Sequence, residues 1–347
     1  MTDVGPSPTQ RVLEPADVAE LVCASFGSRR CMIDAGPMSG GGFAAVWWVR
    51  LDDGRTVVLK VSPPAAVGLL GYERGLLAAE ARYYRLVAER AARVPVPRVL
   101  HVGRDPDVLD GEWMFMTFLP GRSLAASAAA GEAVDDSPVR RDLGAALAAL
   151  HTVPADEYGY DGGRIAGPSW RGVFAAIVDE LLVDADVWGI ELPAAPARIR
   201  GLVDRHGDVL DLVTRPALVH FDGWDGNVLA APDADGGLRL TGLVDGERYL
   251  RGDPLMDFVS PALYSRIEDE PRHPFLEGYA RGAGGPVALD APARRRLALY
   301  RLHLYLLMAV EMPSRGMTGE AWRERRDRIG ELLDQQLSEV SRRASAS

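Results

Sequence analysis

Lysine is almost missing from this chain: 347 residues include 38 arginines and one lysine, Lys60. The net charge of −10 excludes the broad basic face with which a general nucleic-acid binder displaces counterions from phosphates. Cysteine is nearly as scarce. Cys23 and Cys31 form no metal-ligand spacing and allow at most one bridge, so reduced thiols in a cytoplasmic protein are expected. Long apolar runs are missing too: the most apolar late stretch, 297–310, is broken by Arg301 and His303, so no membrane span is expected. Met1-Thr2-Asp3-Val4 shows no basic segment with an apolar run behind it, and no secretion signal is read there.

What is present begins with the position of that lysine. Lys60 ends the apolar strand Val57-Val58-Leu59-Lys60-Val61, where arginine has not been accepted although it serves everywhere else. A compact ammonium suits phosphate oxygens at sites where a planar guanidinium does not fit. The acidity is uneven, with net charges of −1 over residues 1–121 and −9 over 122–347. It fits an ordinary solvated surface and would also suit a cationic ligand.

Residues 14–26 read as an amphipathic helix opened by Pro15 and Asp17. Ser39-Gly40-Gly41-Gly42-Phe43 then leads into a hairpin of 46–51 and the Lys60 strand around Asp52-Asp53-Gly54-Arg55. A helix over 72–92 carries Glu73 and Glu80, and strands follow at 98–102 and 113–118. Leu119-Pro120-Gly121 reads as a hinge. Helices are expected after it at 140–151, 171–187, 196–213, 254–264, 291–310 and 319–343, with short strands at 228–230 and 238–244. The fold class is α+β: a small β-rich lobe, residues 1–118, before a larger α-rich lobe, 119–347.

The most specific stretch runs Leu218-Val219-His220-Phe221-Asp222-Gly223-Trp224-Asp225-Gly226-Asn227, an H-x-D-x-x-x-x-N pattern followed by a strand. Asp245 ends the next apolar strand, and Gly252-Asp253-Pro254 follows. Phosphoryl transfer needs a carboxylate to orient the acceptor hydroxyl, an amide and a second carboxylate for Mg²⁺, and a lysine for the upstream phosphates. Asp222, Asn227, Asp245 and Lys60 supply all four.

These residues and their order resemble the aminoglycoside phosphotransferase family, antibiotic and small-molecule kinases with a protein-kinase-like two-lobed fold. The resemblance spans about Met38 to Leu263. It implies Asp222 as catalytic aspartate, Asn227 and Asp245 as Mg²⁺ ligands, and Lys60 as phosphate-binding lysine with Glu80 as its ion-pair partner. It also implies that ATP or GTP lies under Ser39, Gly41, Gly42 and Phe43, with backbone groups near Thr117 and Leu119 taking the base. The acceptor it implies is a small molecule, an antibiotic or related natural product, with no nucleic-acid or membrane partner.

The pattern departs from the family at Phe221, where relatives carry glycine, at Asp225 in place of proline, and at Gly246-Glu247 after the strand-terminal aspartate. Trp224, Asp225 and Glu247 are therefore candidate acceptor contacts, along with the acids Glu268-Asp269-Glu270. His220 is expected to brace the loop, and Asp253 to cap the following helix. Two rival readings stand beside the antibiotic kinase: a metabolic kinase acting on a sugar or amino alcohol, and a nucleotide-binding pseudokinase. A hydrolase built on His220 and Asp222 is disfavoured, because no serine or cysteine occupies an elbow-like turn nearby.

Overall fold

The computed structural model describes residues 7–38, 42–132 and 135–345. Helix α1 (Pro15–Phe26) starts with a capping box: the Asp17 carboxylate accepts the Glu14 N–H at 2.8 Å, and the Glu14 carboxylate accepts an N–H of the first turn. It covers one face of an antiparallel sheet made of β1 (Met32–Pro37), β2 (Ala45–Leu51), β3 (Thr56–Val61), β4 (Val99–Gly103) and β5 (Trp113–Thr117), in the order β1-β2-β3-β5-β4. Helix α2 (Leu76–Arg90) packs on the other face.

Strand alternation explains the position of Lys60. Val57, Leu59 and Val61 point into the core under α1, whereas Val58 points into the core shared with α2. Lys60 has the parity of Val58. The strand is apolar throughout because both of its faces are covered, and its one charge is directed inward.

Beyond the sheet the chain runs through β6 (Arg122–Ser123), α3 (Leu124–Ala129), α4 (Ser137–Leu150), β7 (Tyr158–Gly159), β8 (Ala166–Gly167), α5 (Trp170–Val187), α6 (Pro196–Arg205), α7 (Gly207–Leu210) and β9 (Ala217–Val219). It continues with β10 (Val228–Pro232), β11 (Leu238–Leu243), β12 (Leu250–Gly252), α8 (Pro274–Ala283), α9 (Ala291–Ser314) and α10 (Arg323–Ser345). This is the expected small sheet region followed by a helical one. Two pairings hold the key loops at one end: β9 pairs with β12 through Val219 and Leu250, and β10 pairs with β11 through Val228 and Leu243. The segments 220–227 and 244–249 are therefore neighbours.

Several elements differ from the sequence expectations. The helix expected from 72 starts only at Leu76, because Gly75 sits in a left-handed conformation with φ 71°. The helix expected over 196–213 divides at His206, and that over 254–264 shrinks to a single 3₁₀ turn, Pro254–Phe258, ahead of Pro261. Strand β1 and helix α8 were not read from the sequence. Nor are the lobes built on separate cores: one buried cluster continues from Met114 and Met116 through Tyr83 and Tyr84 to Phe258 and Leu302. Among the described residues no helix is long and apolar enough to cross a membrane, and both cysteines are free and exposed.

Candidate active site

A cavity of about 210 Å³ opens between the sheet and the helical region, and it brings together Lys60, Asp222, Asn227, Asp245 and Glu247. Lys60 is 4% exposed, and its Nζ donates to Glu80 Oε2 and Asp245 Oδ1, each at 2.7 Å, and to Glu247 Oε2 at 3.4 Å. It is thus Glu80, not Glu73, that meets the lysine. Glu73 binds the Leu70 N–H at 3.0 Å and faces Arg315 at 3.5 Å. Tyr84 fixes the triad from below, its hydroxyl donating to Glu80 Oε1 at 2.7 Å and accepting the Asp245 N–H at 3.1 Å.

Three carboxylates around one ammonium set the charges. Burial opposes the charge on Lys60, but Asp245, Glu80 and Glu247 outweigh it and hold its pKa well above the ordinary lysine value. Burial pushes Glu80 up to about 7 against the pull of Lys60. Asp245, partly open to the cleft, is held below the usual carboxylate range by Lys60 despite burial. It also adopts a left-handed backbone conformation, φ 58°, that turns its carboxylate back toward Lys60 at the end of β11.

The loop between β9 and β10 is held by one buried carboxylate. Asp257 accepts the N–H of His220 at 3.0 Å and that of Phe221 at 2.6 Å, and His151 Nε2 lies 2.9 Å from it. His220 is fully buried, its ring 5.4 Å from that of Tyr83, and its Nδ1 accepts the Asp222 N–H at 3.2 Å. Phe221 has φ 64°, a left-handed conformation that only glycine adopts without strain. Here its ring packs on His303, with centroids 5.0 Å apart. Phe221→Gly is expected to relieve about 1 kcal/mol of backbone strain while losing about 3–5 kcal/mol of ring packing. The net loss of roughly 2–4 kcal/mol should appear as a lower denaturant midpoint, and a raised midpoint would mean that strain dominates.

Asp222 is paired with Arg248, whose Nη1 lies 3.5 Å from its Oδ1. Burial raises its pKa to about 6 even though Arg248 pulls the other way. Arg248 also binds Glu311 of α9 at 2.7 Å, and Arg315 binds Glu311 at 3.1 Å and lies over the Phe43 ring at 5.7 Å. Gly42 and Phe43 line the cavity, and Thr9 Oγ1 donates to the Gly42 carbonyl at 3.0 Å. Ser39 and Gly41, expected over the phosphates, lie outside the described residues.

Other candidates divide. Trp224 lines the cavity, whereas Asp225 does not: Arg140 takes both its oxygens, at 3.0 and 3.1 Å, and holds it on the far side of the loop. Glu247 lines the cavity but is engaged by Lys60 rather than free toward an acceptor. Glu268 is buried against Arg301 at 2.8 Å and Asp269 binds Arg294 at 2.6 Å, so neither reaches the cleft. Asp253 caps the 3₁₀ turn through the Leu255 N–H at 3.0 Å and binds Arg296 at 2.7 Å. Thr117 already gives its N–H to Arg98 O at 2.9 Å, so that group is not open to a base, and neither Thr117 nor Leu119 lines this cavity. Sequence reasoning missed Arg248, Glu311, Arg315, Tyr264 and Met308. Arg248, three residues past Asp245, carried a local signal; the others did not.

The donor set fits a hard cation. The Asn227 amide nitrogen is used by the Asp222 carbonyl at 2.9 Å, which leaves its oxygen, and Asp245 adds a carboxylate in the same cavity. Among the described residues no group of three His, Cys, Asp or Glu is placed to cage a metal.

A small antiparallel sheet over a helical region, with lysine, aspartates and asparagine meeting in the cleft, defines a two-lobed kinase-like phosphotransferase. The sequence model of the phosphotransferase enzyme family (APH) matches residues 36–300, and the chain belongs to that family. It is therefore an enzyme that transfers phosphate to a hydroxyl of a small molecule. Among solved structures of similar fold is a protein of Thermobifida fusca provisionally assigned as a fructosamine-3-kinase, with 21% identity, TM-score 0.65, and coverage of 95% of this chain and 99% of that one. A thermostable mutant of aminoglycoside phosphotransferase APH(4)-Ia, in a ternary complex with AMP-PNP and hygromycin B, has 19% identity and TM-score 0.59 over 95% and 100% of the two chains. Macrolide 2'-phosphotransferase type I has 17% identity and TM-score 0.54 over 95% and 98%. At such identities the likeness is one of fold. No curated protein matches the chain.

Proposed function

We propose that the chain moves the γ-phosphoryl group of ATP or GTP onto a hydroxyl of an antibiotic or related natural product. The observation that carries this reading is the contact of Lys60 with both Glu80 and Asp245 in a cavity that Asp222 and Asn227 also line. Residues 1–118 serve as the nucleotide-binding lobe and 119–347 as the catalytic and acceptor-binding lobe. Lys60 steadies the upstream phosphates. Asn227 and Asp245 would hold Mg²⁺, which when bound neutralises charge on the phosphates. Asp222 takes the acceptor's proton as that oxygen bonds to the γ-phosphorus; the bond from phosphorus to the bridging oxygen breaks, and nucleoside diphosphate leaves.

Incubating the protein with ATP or GTP, Mg²⁺ and a panel of antibiotics, sugars and amino alcohols should give a gain of one phosphate on a single class of acceptor by mass spectrometry. Nucleotide binding with no turnover on any panel member or on water would favour the pseudokinase.

A base must be ionised to act, and burial raises Asp222 to about 6. The rate should therefore rise about tenfold per pH unit on the acid side and level off above about 6. A flat kcat/KM between about pH 5 and 7 would remove Asp222 from that role.

A further inference from the structure

We infer that the acceptor is a neutral or anionic alcohol carried on an apolar or aromatic body, not a polycation; this deepens the phosphotransferase reading and rests on it. The acid excess of the second lobe suggested a cationic ligand, but the cavity itself does not share that excess. Every carboxylate lining it already faces a cation: Asp222 has Arg248 at 3.5 Å, Glu311 has Arg248 at 2.7 Å and Arg315 at 3.1 Å, and Asp245 and Glu247 share Lys60 at 2.7 and 3.4 Å. Of the other acids that the sequence offers to an acceptor, Asp225 is spent on Arg140, Glu268 on Arg301 and Asp269 on Arg294, and Glu270 does not line the cavity. Arg325 of α10 also lines the cavity, with no carboxylate partner among the described residues. A polyamine entering here would find each lining carboxylate already paired, Arg248 and Arg315 neutralised in the same pairs, and the guanidinium of Arg325 still without a carboxylate partner among the described residues, so the wall offers a polycation no unmatched negative charge.

The remaining wall has a different chemistry. Trp224 is 36% exposed and Tyr264 59% exposed, and they flank Leu263, Leu304 and Met308 on the helical side of the cavity. Large apolar side chains left open beside convergent polar groups are the ordinary make-up of a site for a hydroxylated, largely apolar molecule. Ser260 lines the same cavity, and its hydroxyl accepts the Gly223 N–H at 3.0 Å, which leaves its O–H to donate to a hydroxylated ligand.

The test is a competition. The intact protein, a nucleoside triphosphate and Mg²⁺ are mixed with equal concentrations of polycationic aminoglycosides and of macrolides, nucleosides and phenolic glycosides, with Asp222→Asn alongside. Phosphate gain should fall on a neutral or anionic alcohol with at least about tenfold preference over any polycation. Labelling of a polycation at equal or greater efficiency overturns the inference and leaves the phosphotransferase reading standing. Labelling of neither class also overturns it. The broader reading is then judged separately, by whether acceptor-independent nucleotide hydrolysis occurs in the wild type and is lost in Asp222→Asn. As a second arm, Arg325→Glu should shift the ratio of phosphate gain toward the polycations. Unchanged selectivity in that variant would count against the charge argument.

Discussion

Asp222→Asn is expected to lower turnover by about three orders of magnitude while nucleotide affinity stays within a few-fold. Asparagine keeps the shape of the side chain and can still accept from Arg248, 3.5 Å away. It cannot take a proton from an acceptor hydroxyl. The contacts proposed for the phosphates come from Lys60, Asn227 and Asp245, which the substitution leaves in place, so binding and turnover should separate. Titrating nucleotide into the variant and following phosphate transfer by mass spectrometry measures both. Turnover within a few-fold of the wild type would remove Asp222 from the mechanism.

Lys60→Met should act on stability as well as on activity. It leaves Glu80, Asp245 and Glu247 facing one another without the ammonium that holds them 2.7–3.4 Å away. Removing one partner from a buried charge cluster costs about 3–5 kcal/mol. The sign of the pH dependence follows from Glu80. Its pKa is raised to about 7 in the fold even with Lys60 present, and the loss of Lys60 raises it further. A carboxyl with a raised folded pKa contributes stability that is fully present below its unfolded value and is lost as pH rises through the folded one. The variant should therefore fall furthest below the wild type in melting temperature at about pH 8.5 and recover part of the gap near about pH 5.5, where Glu80 is protonated. Phosphate transfer should drop at least about 100-fold. Lys60→Arg should not rescue it, because a planar guanidinium cannot reproduce three short contacts to one nitrogen in a pocket that leaves Lys60 4% exposed. Equal melting temperatures at both pH values would show that the carboxylates separate when the lysine is removed.

Much of the candidate site's grouping was legible because each residue announced its own position. Lys60 interrupts an apolar strand, the H-x-D-x-x-x-x-N loop precedes a strand, and Asp245 ends one; all three are signals carried by immediate neighbours in sequence. The second ring of charges was not. Arg248 meets Glu311 across 63 residues, and Arg315 meets Glu73 across 242. No periodicity links such partners, and a glutamate late in an apolar helix reads only as an interruption. The same limit explains why Asp225, Glu247 and Glu268 read as acceptor contacts: the sequence shows an acid but not the cation that neutralises it, Arg140, Lys60 and Arg301 in turn. Strand β1 escaped notice because Met32–Pro37 contains glycine and proline and lies at the sheet edge, where half-exposed residues blur the alternation. The helix expected over 254–264 stops ahead of Pro261, which lacks a backbone N–H and disfavours helical backbone at the residue before it.

The lone lysine also gives the molecule a built-in counter of its own opening. Lys60 is the only ε-amine in the chain, and in the folded protein it is wrapped by carboxylates. Amine-reactive reagents should therefore reach Lys60 only when the cleft opens or the chain unfolds. The rate at which Lys60 is labelled reports on the candidate site directly, without any engineered probe.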